Sequence, residues 1–303
     1  MKYHRIALIG GSGFVGGHLT HHLRNCGYQC RVLSRRAFRH PALRLSAETC
    51  EVDPYQPQEL AAALEGCDAA INLVGVLHGG PKGREFRNAH VRLSENIVEA
   101  CHQVGVRRLL HMSALHADQA TGSSEYLRSK GEGENRAHTL GKPDIAVTSF
   151  RPSVIFGPGD SFLNRFAALL KIPGPMPLAC WDTRFSPVYV GDVVAAFTRA
   201  LPDRKTFGRR YDLCGPETFT LEEIVRLVAL HSGRHKGVIR LPDWAARLQA
   251  ALLQHVPGKP FTPDNYLSLQ TDSVCSHNGL DDLGIQATSM KALMPELLSR
   301  GRS

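Results

Sequence analysis

The chain has 303 residues, 43% hydrophobic and 21% charged, a balance that allows a large buried core. No run of eighteen apolar residues occurs, which argues against a membrane-spanning helix, and the eight cysteines form no C-x-x-C pair and no His/Cys group at zinc spacing, so no metal site is expected and the thiols read as free ones in a reducing cytosol. The net charge of +8 comes from residues 1–47, which hold eight Lys/Arg and no acid; the other 256 residues carry 28 of each sign.

That basic excess lies beside a glycine-rich loop and points to a phosphorylated small molecule. A nucleic-acid binder would carry a basic stripe with interleaved aromatics, so no nucleic acid is expected as a partner. The N-terminus runs into an apolar strand without a signal peptide's apolar segment and cleavage site, and the expected location is cytoplasmic.

In chain order, residues 5–9 read as a parallel strand buried on both faces. A turn over 10–16 opens a helix that runs to about 25 and ends at Gly27. Strands follow at 29–33, near 52 and at 69–74, with a helix through Leu60, Ala63 and Leu64 before the last of them. One long helix is expected over 84–104, a strand over 107–112, a helix over 126–140 and a strand over 145–150. This alternation predicts an α/β fold, a Rossmann-type doubly wound parallel sheet. The core is expected over 1–155. Residues 156–303 form a mixed region that returns partly to the sheet around 186–213 and adds a smaller, mainly helical C-terminal lobe, with helices over 220–231 and 242–255, above the carboxyl edge where ligands bind.

Gly10, Gly11, Ser12, Gly13, Phe14, Val15 and Gly16 fit G-x-x-G-x-x-G between a strand and a helix. Glycines let the backbone approach a pyrophosphate, whose charge meets the free N–H groups of the helix start. At the end of the second strand an NAD enzyme has an acid for the ribose 2′-OH, whereas this chain has Ser34, Arg35 and Arg36. Guanidinium groups hold a 2′-phosphate that a carboxylate would repel, so NADP(H) is the expected cofactor. Asp53 has two readings, an acceptor for the adenine amine or a helix N-cap before Pro54.

The loop, Tyr126-x-x-x-Lys130, the run from Arg151 to Gly159 and Val190-Gly191-Asp192-Val193 together resemble an extended-type short-chain dehydrogenase/reductase. Within it, the segments 71–75, 111–115, 129–134 and 184–188 are similar to the atypical subgroup typified by the NDUFA-nine-like accessory subunit of respiratory complex I. The resemblance implies a catalytic Tyr126, which exchanges a proton with a substrate carbonyl, and a Lys130 that lowers the tyrosine pKa and holds the nicotinamide ribose. Four residues apart, they share one helix face. It also implies that Asn72, Val74 and Gly75 lie under the cofactor and that Pro152 and Val154 face the nicotinamide. Gly131 and Gly133, costly inside a helix, mark a close approach of another backbone or of the cofactor.

The chain departs from that pattern twice. The catalytic Ser/Thr position falls on Ala114, with Ser113 one step earlier; strand neighbours point to opposite faces, so Ser113 serves only where the strand has already ended. The Asn position falls near His90, with Asn88 on another face. The departures favour a binding protein with a tightly held NADP(H) and an accessory role in respiratory or quinone metabolism. The Tyr126/Lys130 pair favours an NADP-dependent oxidoreductase or isomerase acting on an apolar carbonyl or quinone-like compound. Finally, Leu241, Trp244, Ala245, Leu248, Leu252 and Val256 form an apolar stripe among Arg240, Arg247 and Lys259. Such a stripe is expected to face the core, the alternative being a helix on a membrane surface or against a respiratory-complex partner.

Overall fold

The computed structural model describes residues 3–35, 47–80, 83–234 and 236–299. Seven strands, β1 (Arg5–Ile9), β2 (Gln29–Ser34), β3 (Glu48–Glu51), β4 (Ala69–Asn72), β5 (Arg108–Met112), β6 (Ala146–Pro152) and β7 (Arg210–Leu213), form one parallel sheet in the order β7-β6-β5-β4-β1-β2-β3. Ile6 stands opposite Cys30 on one side and Ala69 on the other, so the winding reverses between β1 and β4. That reversal opens a crevice at their carboxyl ends.

Both faces of the sheet are covered, which is why β4 and β5 are buried throughout. Alternate residues of β1 serve the two cores. Leu8 packs with Leu19 and Leu23 of α1 (Phe14–Asn25), while Ala7 and Ile9 face Leu60 and Leu64 of α2 (Pro57–Leu64) and Ile97 of α3 (Leu93–Val104). Ala137 of α4 (Glu125–Gly141) joins this second core, and Val193 and Phe197 of α5 (Val190–Ala200) close the first. Burying each Leu, Ile or Phe of this kind stabilises by roughly 1.5–3 kcal/mol.

The helix expected over 84–104 is divided: a single turn at Arg84–Phe86 passes into a π-helical stretch at Arg87–Arg92 before α3 begins. The π-helical stretch packs against α4. A Cβ on Gly133 would overlap the His90 carbonyl oxygen, and one on Gly131 would come within 2.6 Å of the Asp118 backbone. The two glycines therefore stand where neighbouring backbones approach, as their cost in a helix implied.

Two buried features have no counterpart in the sequence reading. Arg108, fully buried at the start of β5, donates to the carbonyls of Ala146, Ala200 and Leu201 and to the hydroxyls of Thr148 and Thr206. The guanidinium thereby ties β5 and β6 to the end of α5, and burial pulls its pKa down to about 10. The free-thiol reading fails at two cysteines: Cys214, just after β7, is disulfide-bonded to Cys275, while the other six are free. Asn278 reinforces that join, accepting from the Cys214 N–H and donating to its carbonyl.

Beyond β6, the C-terminal lobe is built on α6 (Leu221–His231), which starts with a reciprocal Thr220/Glu223 capping box, and on α7 (Asp243–Leu253). Ile224 and Val228 of α6 share a core with Phe156, Leu163, Phe185, Met290 and Met294. The core-facing reading of the 241–256 stripe is overturned. Trp244 is 70% exposed, Leu248 52% and Leu252 62%, while the buried face of α7 consists of Ala246 and Ala250. The small residues win the inward position because α7 lies close over the short helix Pro263–Ser268, where Tyr266 fills the contact.

Candidate functional site

At the end of β1, Gly10 takes φ +79°, where a side chain would be strained and a Cβ would press on Val74 at 2.9 Å. The loops after β1 and β4 thus meet at the crevice. Inside α1, a Cβ on Gly16 would come within 2.5 Å of the Gly11 backbone. Gly13 is the N-cap and contributes no side chain, Phe14 and Val15 open the helix, and its first turn holds no acid. The helix start therefore offers backbone N–H groups and a favourable dipole to an anion, and the loop fits the diphosphate of a dinucleotide.

Ser12 and Ser34 share a hydroxyl hydrogen bond of 3.0 Å that ties this loop to the end of β2. Arg35 then lines a cavity of about 420 Å³ together with Glu51, Val52, Asp53, Tyr55 and Glu59. Arg36 lies outside the described residues. The N-cap reading of Asp53 is corrected: the N-cap of α2 is Gln56, followed by Pro57. Asp53 instead accepts the Tyr55 N–H at 3.1 Å, an Asx turn that leaves its exposed side chain at the cavity wall.

Tyr126 and Lys130 sit in the first turns of α4. Ser124 caps this helix by accepting the Leu127 N–H, and Asp264 of the C-terminal lobe accepts from the N–H groups of Glu125 and Tyr126. The Tyr126 ring stands edge-on to Phe86 and His90, with centroids 5.9 and 5.5 Å away. Burial, with the nearby Asp264 carboxylate, pushes its hydroxyl up to about 12. The Lys130 ammonium is buried, donates to the carbonyls of Met112 (3.0 Å) and Val74 (3.3 Å), and is pulled down to about 8 by desolvation. A Cβ on Gly75 would lie 3.2 Å from it. Lys130, Val74, Gly75 and the glycine loop are thus brought to one crevice.

His90 lies in the stretch near which the resemblance places an Asn. Its Nε2 accepts the Val76 N–H at 3.2 Å, so Nδ1 carries the proton and donates to Ser129 at 2.8 Å, and Ser129 donates to the Tyr126 carbonyl. This fixes a neutral imidazole, and burial next to Lys130 drives its pKa down to about 2. Asn88, at the start of the π-helical stretch, takes no part in these contacts.

Strand β5 ends at Met112, so Ser113 does lie beyond the strand. Its hydroxyl, however, is buried without a hydrogen-bond partner, on the side of Glu134, two turns from Tyr126 along α4. Burial alone would raise Glu134, but a two-toothed ion pair with Arg151 at 2.7 and 2.8 Å holds it below the usual range, and Arg210 pairs with the same carboxylate. Ala114 is buried and brings no hydroxyl. Asn72, also buried, accepts the Val74 N–H and donates to His111, which burial pulls down to about 3. Pro152 is buried at the end of β6, and Val154 is half-buried beyond it.

The sequence reading missed Asp264, which lies 138 residues from the Tyr126 N–H that it accepts. It missed Ser129 and Glu134 as well, although both stand in the segment it had marked. A second cavity, about 230 Å³, opens beside Phe86 and Glu125 and is walled by Gln254, Lys259 and Asp264 of the lobe.

The profile of the NAD dependent epimerase/dehydratase family matches residues 6–214. The chain is 28% identical over 306 aligned positions to the mitochondrial NADH dehydrogenase (ubiquinone) 1 alpha subcomplex subunit 9 of Mus musculus, covering 98% of this chain and 80% of that one. It is 30% identical to the ceramide reductase of Caulobacter vibrioides, over 78% of this chain and 74% of that protein. Among solved structures, UDP-glucose 4-epimerase from Thermus thermophilus in complex with NAD superposes with a TM-score of 0.77 at 21% identity, covering 99% of this chain and 100% of that one.

Proposed function

This chain belongs to the NAD dependent epimerase/dehydratase family, and from that premise we propose that it holds NADP(H) tightly in the β1/β4 crevice, as a fixed part of an accessory protein of respiratory or quinone metabolism. The observation that carries this reading is at the Ser/Thr position. Ala114 stands there without a hydroxyl, while the neighbouring Ser113 hydroxyl is buried without a hydrogen-bond partner. With no hydroxyl at position 114, Tyr126 lacks the second donor that the Ser/Thr position would supply to a carbonyl. His90 adds to the case, since both of its ring nitrogens are committed within the protein. The similarity to a respiratory-complex subunit along nearly the whole chain supports the accessory role.

The choice of NADP(H) over NAD(H) rests on Ser34, Arg35 and Arg36, which replace the expected acid after β2. In this reading the helix start of α1 takes the diphosphate, Arg35 the 2′-phosphate and Asp53 the adenine amine. Lys130, beside Gly75 and Val74, takes the nicotinamide ribose, and Pro152 and Val154 line the nicotinamide end. A nucleotide present at a thousand times its Kd would stabilise the fold by about 4 kcal/mol, which gives a bound but unreacting cofactor a physical role.

A second reading is favoured by one observation. Tyr126 and Lys130 stand at catalytic spacing on α4, and the Tyr126 ring packs on Phe86 of the smaller cavity's wall, an arrangement that suits an NADPH-dependent oxidoreductase for an apolar carbonyl or quinone-like compound. The bound nicotinamide would supply or accept the hydride, and the Tyr126 hydroxyl the proton. The Caulobacter relative is by name a ceramide reductase. Denaturing the purified protein, identifying the released nucleotide, and assaying the loaded protein with quinones and long-chain ketones separates the two. Release of NADP(H) without turnover supports the accessory reading. Turnover that Tyr126→Phe abolishes supports the second. Absence of any nucleotide affinity defeats both.

A further inference from the structure

Most amphipathic helices of a folded domain put their large apolar residues inward, because that removes the most apolar surface from water. Helix α7 does the opposite. Ala246 and Ala250 pack against the body, and Trp244, Leu248, Leu252 and then Val256, at steps of four, face outward. Ile239, on the strand that leads into α7, is also exposed. Half of the large exposed apolar side chains among the described residues therefore fall within 239–256, a concentration that scattered surface hydrophobics do not produce.

The sequence around this face is mainly cationic. Residues 231–262 contain Arg234, Lys236, Arg240, Arg247 and Lys259 against a single carboxylate, Asp243; Asp243 pairs with Arg247 and Glu222 of α6 pairs with Arg240, so the excess rests on Arg234, Lys236 and Lys259. No described helix is long and apolar enough to cross a membrane. A Trp/Leu stripe on one side of a short helix, with a net excess of cations around it, is the composition that settles into the headgroup region of an anionic bilayer. A protein partner would be expected to find a pocketed centre with a mixed polar rim instead.

We propose that α7 docks this protein on an anionic membrane surface, with Trp244, Leu248, Leu252 and Val256 inserted between headgroups and the surrounding Lys/Arg residues holding it there. The stripe runs toward Gln254 and Lys259, which wall the cavity beside Phe86 and Glu125. Docking through α7 therefore brings the mouth of that cavity to the lipid. The site's substrate or partner would then reach it from the membrane; this last step rests on the reading of the site given above, whereas the docking does not.

The test is flotation of the purified full chain, with and without NADPH, on vesicles of phosphatidylcholine alone or mixed with phosphatidylglycerol, at low and high salt. We expect flotation with the anionic vesicles at low salt, a blue shift of tryptophan emission, and weaker binding at high salt or without the anionic lipid. Leu248→Gln/Leu252→Gln, at exposed positions that leave the fold intact, should lower vesicle affinity at least tenfold while its melting curve stays unchanged. Failure to float in any condition overturns the proposal, as does equal flotation of the double variant. So does a concentration-dependent dimer, seen by sedimentation, that the double variant abolishes, since the face would then join two copies of the chain. Because nucleotide-free protein is included, a failed cofactor assignment and a failed docking surface give different results.

Discussion

Single side chains carry most of the chemistry here. Arg35 reaches the cavity at the end of β2, and replacing it with Asp puts a negative charge where a 2′-phosphate is proposed. Charge-assisted contacts of this kind are worth roughly 1.5–3 kcal/mol, so Arg35→Asp should weaken NADPH binding by at least about tenfold in a calorimetric titration and leave NADH binding little changed. Lys130→Ala removes the group that spans Val74 and Met112 and should weaken both nucleotides alike, which the same titration reads. Glu134→Gln leaves Arg151 and Arg210, both partly exposed, facing a neutral amide; losing charge-assisted bonds to the buried carboxylate costs roughly 1.5–3 kcal/mol, measurable as a lower urea midpoint. At this scale the glycines, Tyr126 and Lys130 were legible because local spacing encodes them. The Asp264 contact to α4 was not, since nothing near residue 264 signals a partner 138 positions earlier. Arg108 was not legible either: an arginine at a strand start reads as solvated, and its five acceptors come from segments up to 98 residues away.

At the level of elements, the alternation of strand and helix was readable because a parallel sheet covered on both faces demands short apolar runs between amphipathic helices. The junction of α4 with the π-helical stretch was only half readable. Gly131 and Gly133 announced a close approach, but not that a widened turn at Arg87–Arg92 would accompany it. Gly133→Ala should force the two helices apart and destabilise by about 1–3 kcal/mol or more; a thermal melt no lower than that of the parent would contradict this contact. Helix α7 shows the opposite limit. Its periodicity identified the helix, yet a stripe of apolar side chains cannot say which side faces the body, and here the alanine side does.

The whole molecule is expected to lose stability sharply in mild acid. Burial holds His90 at about 2, His111 at about 3 and His138 at about 4, against about 6.5 for histidine in an unfolded chain. Below pH 6.5 the unfolded chain binds three protons that the folded chain does not. Stability therefore falls as pH drops, by up to about 4 kcal/mol per pH unit, and the fall ends only when the folded values are reached. Glu134, whose folded pKa is lowered, steepens the loss below about 4.5. Asp160, Asp192, Asp212 and Asp264, whose values burial raises, take up protons in the folded chain before the unfolded chain does and so oppose it. Urea unfolding at pH 7.5, 6.5 and 5.5 should show a falling midpoint at constant slope, and a flat midpoint would mean that the three imidazoles accept protons in the folded state. Nucleotide choice is the property on which loop, crevice and Arg35 converge, and calorimetric titration of the nucleotide-stripped chain with NADPH and with NADH reads it most directly. NADPH should bind at least about tenfold more tightly, a difference of about 1.4 kcal/mol; equal affinities, or tighter binding of NADH, would contradict it.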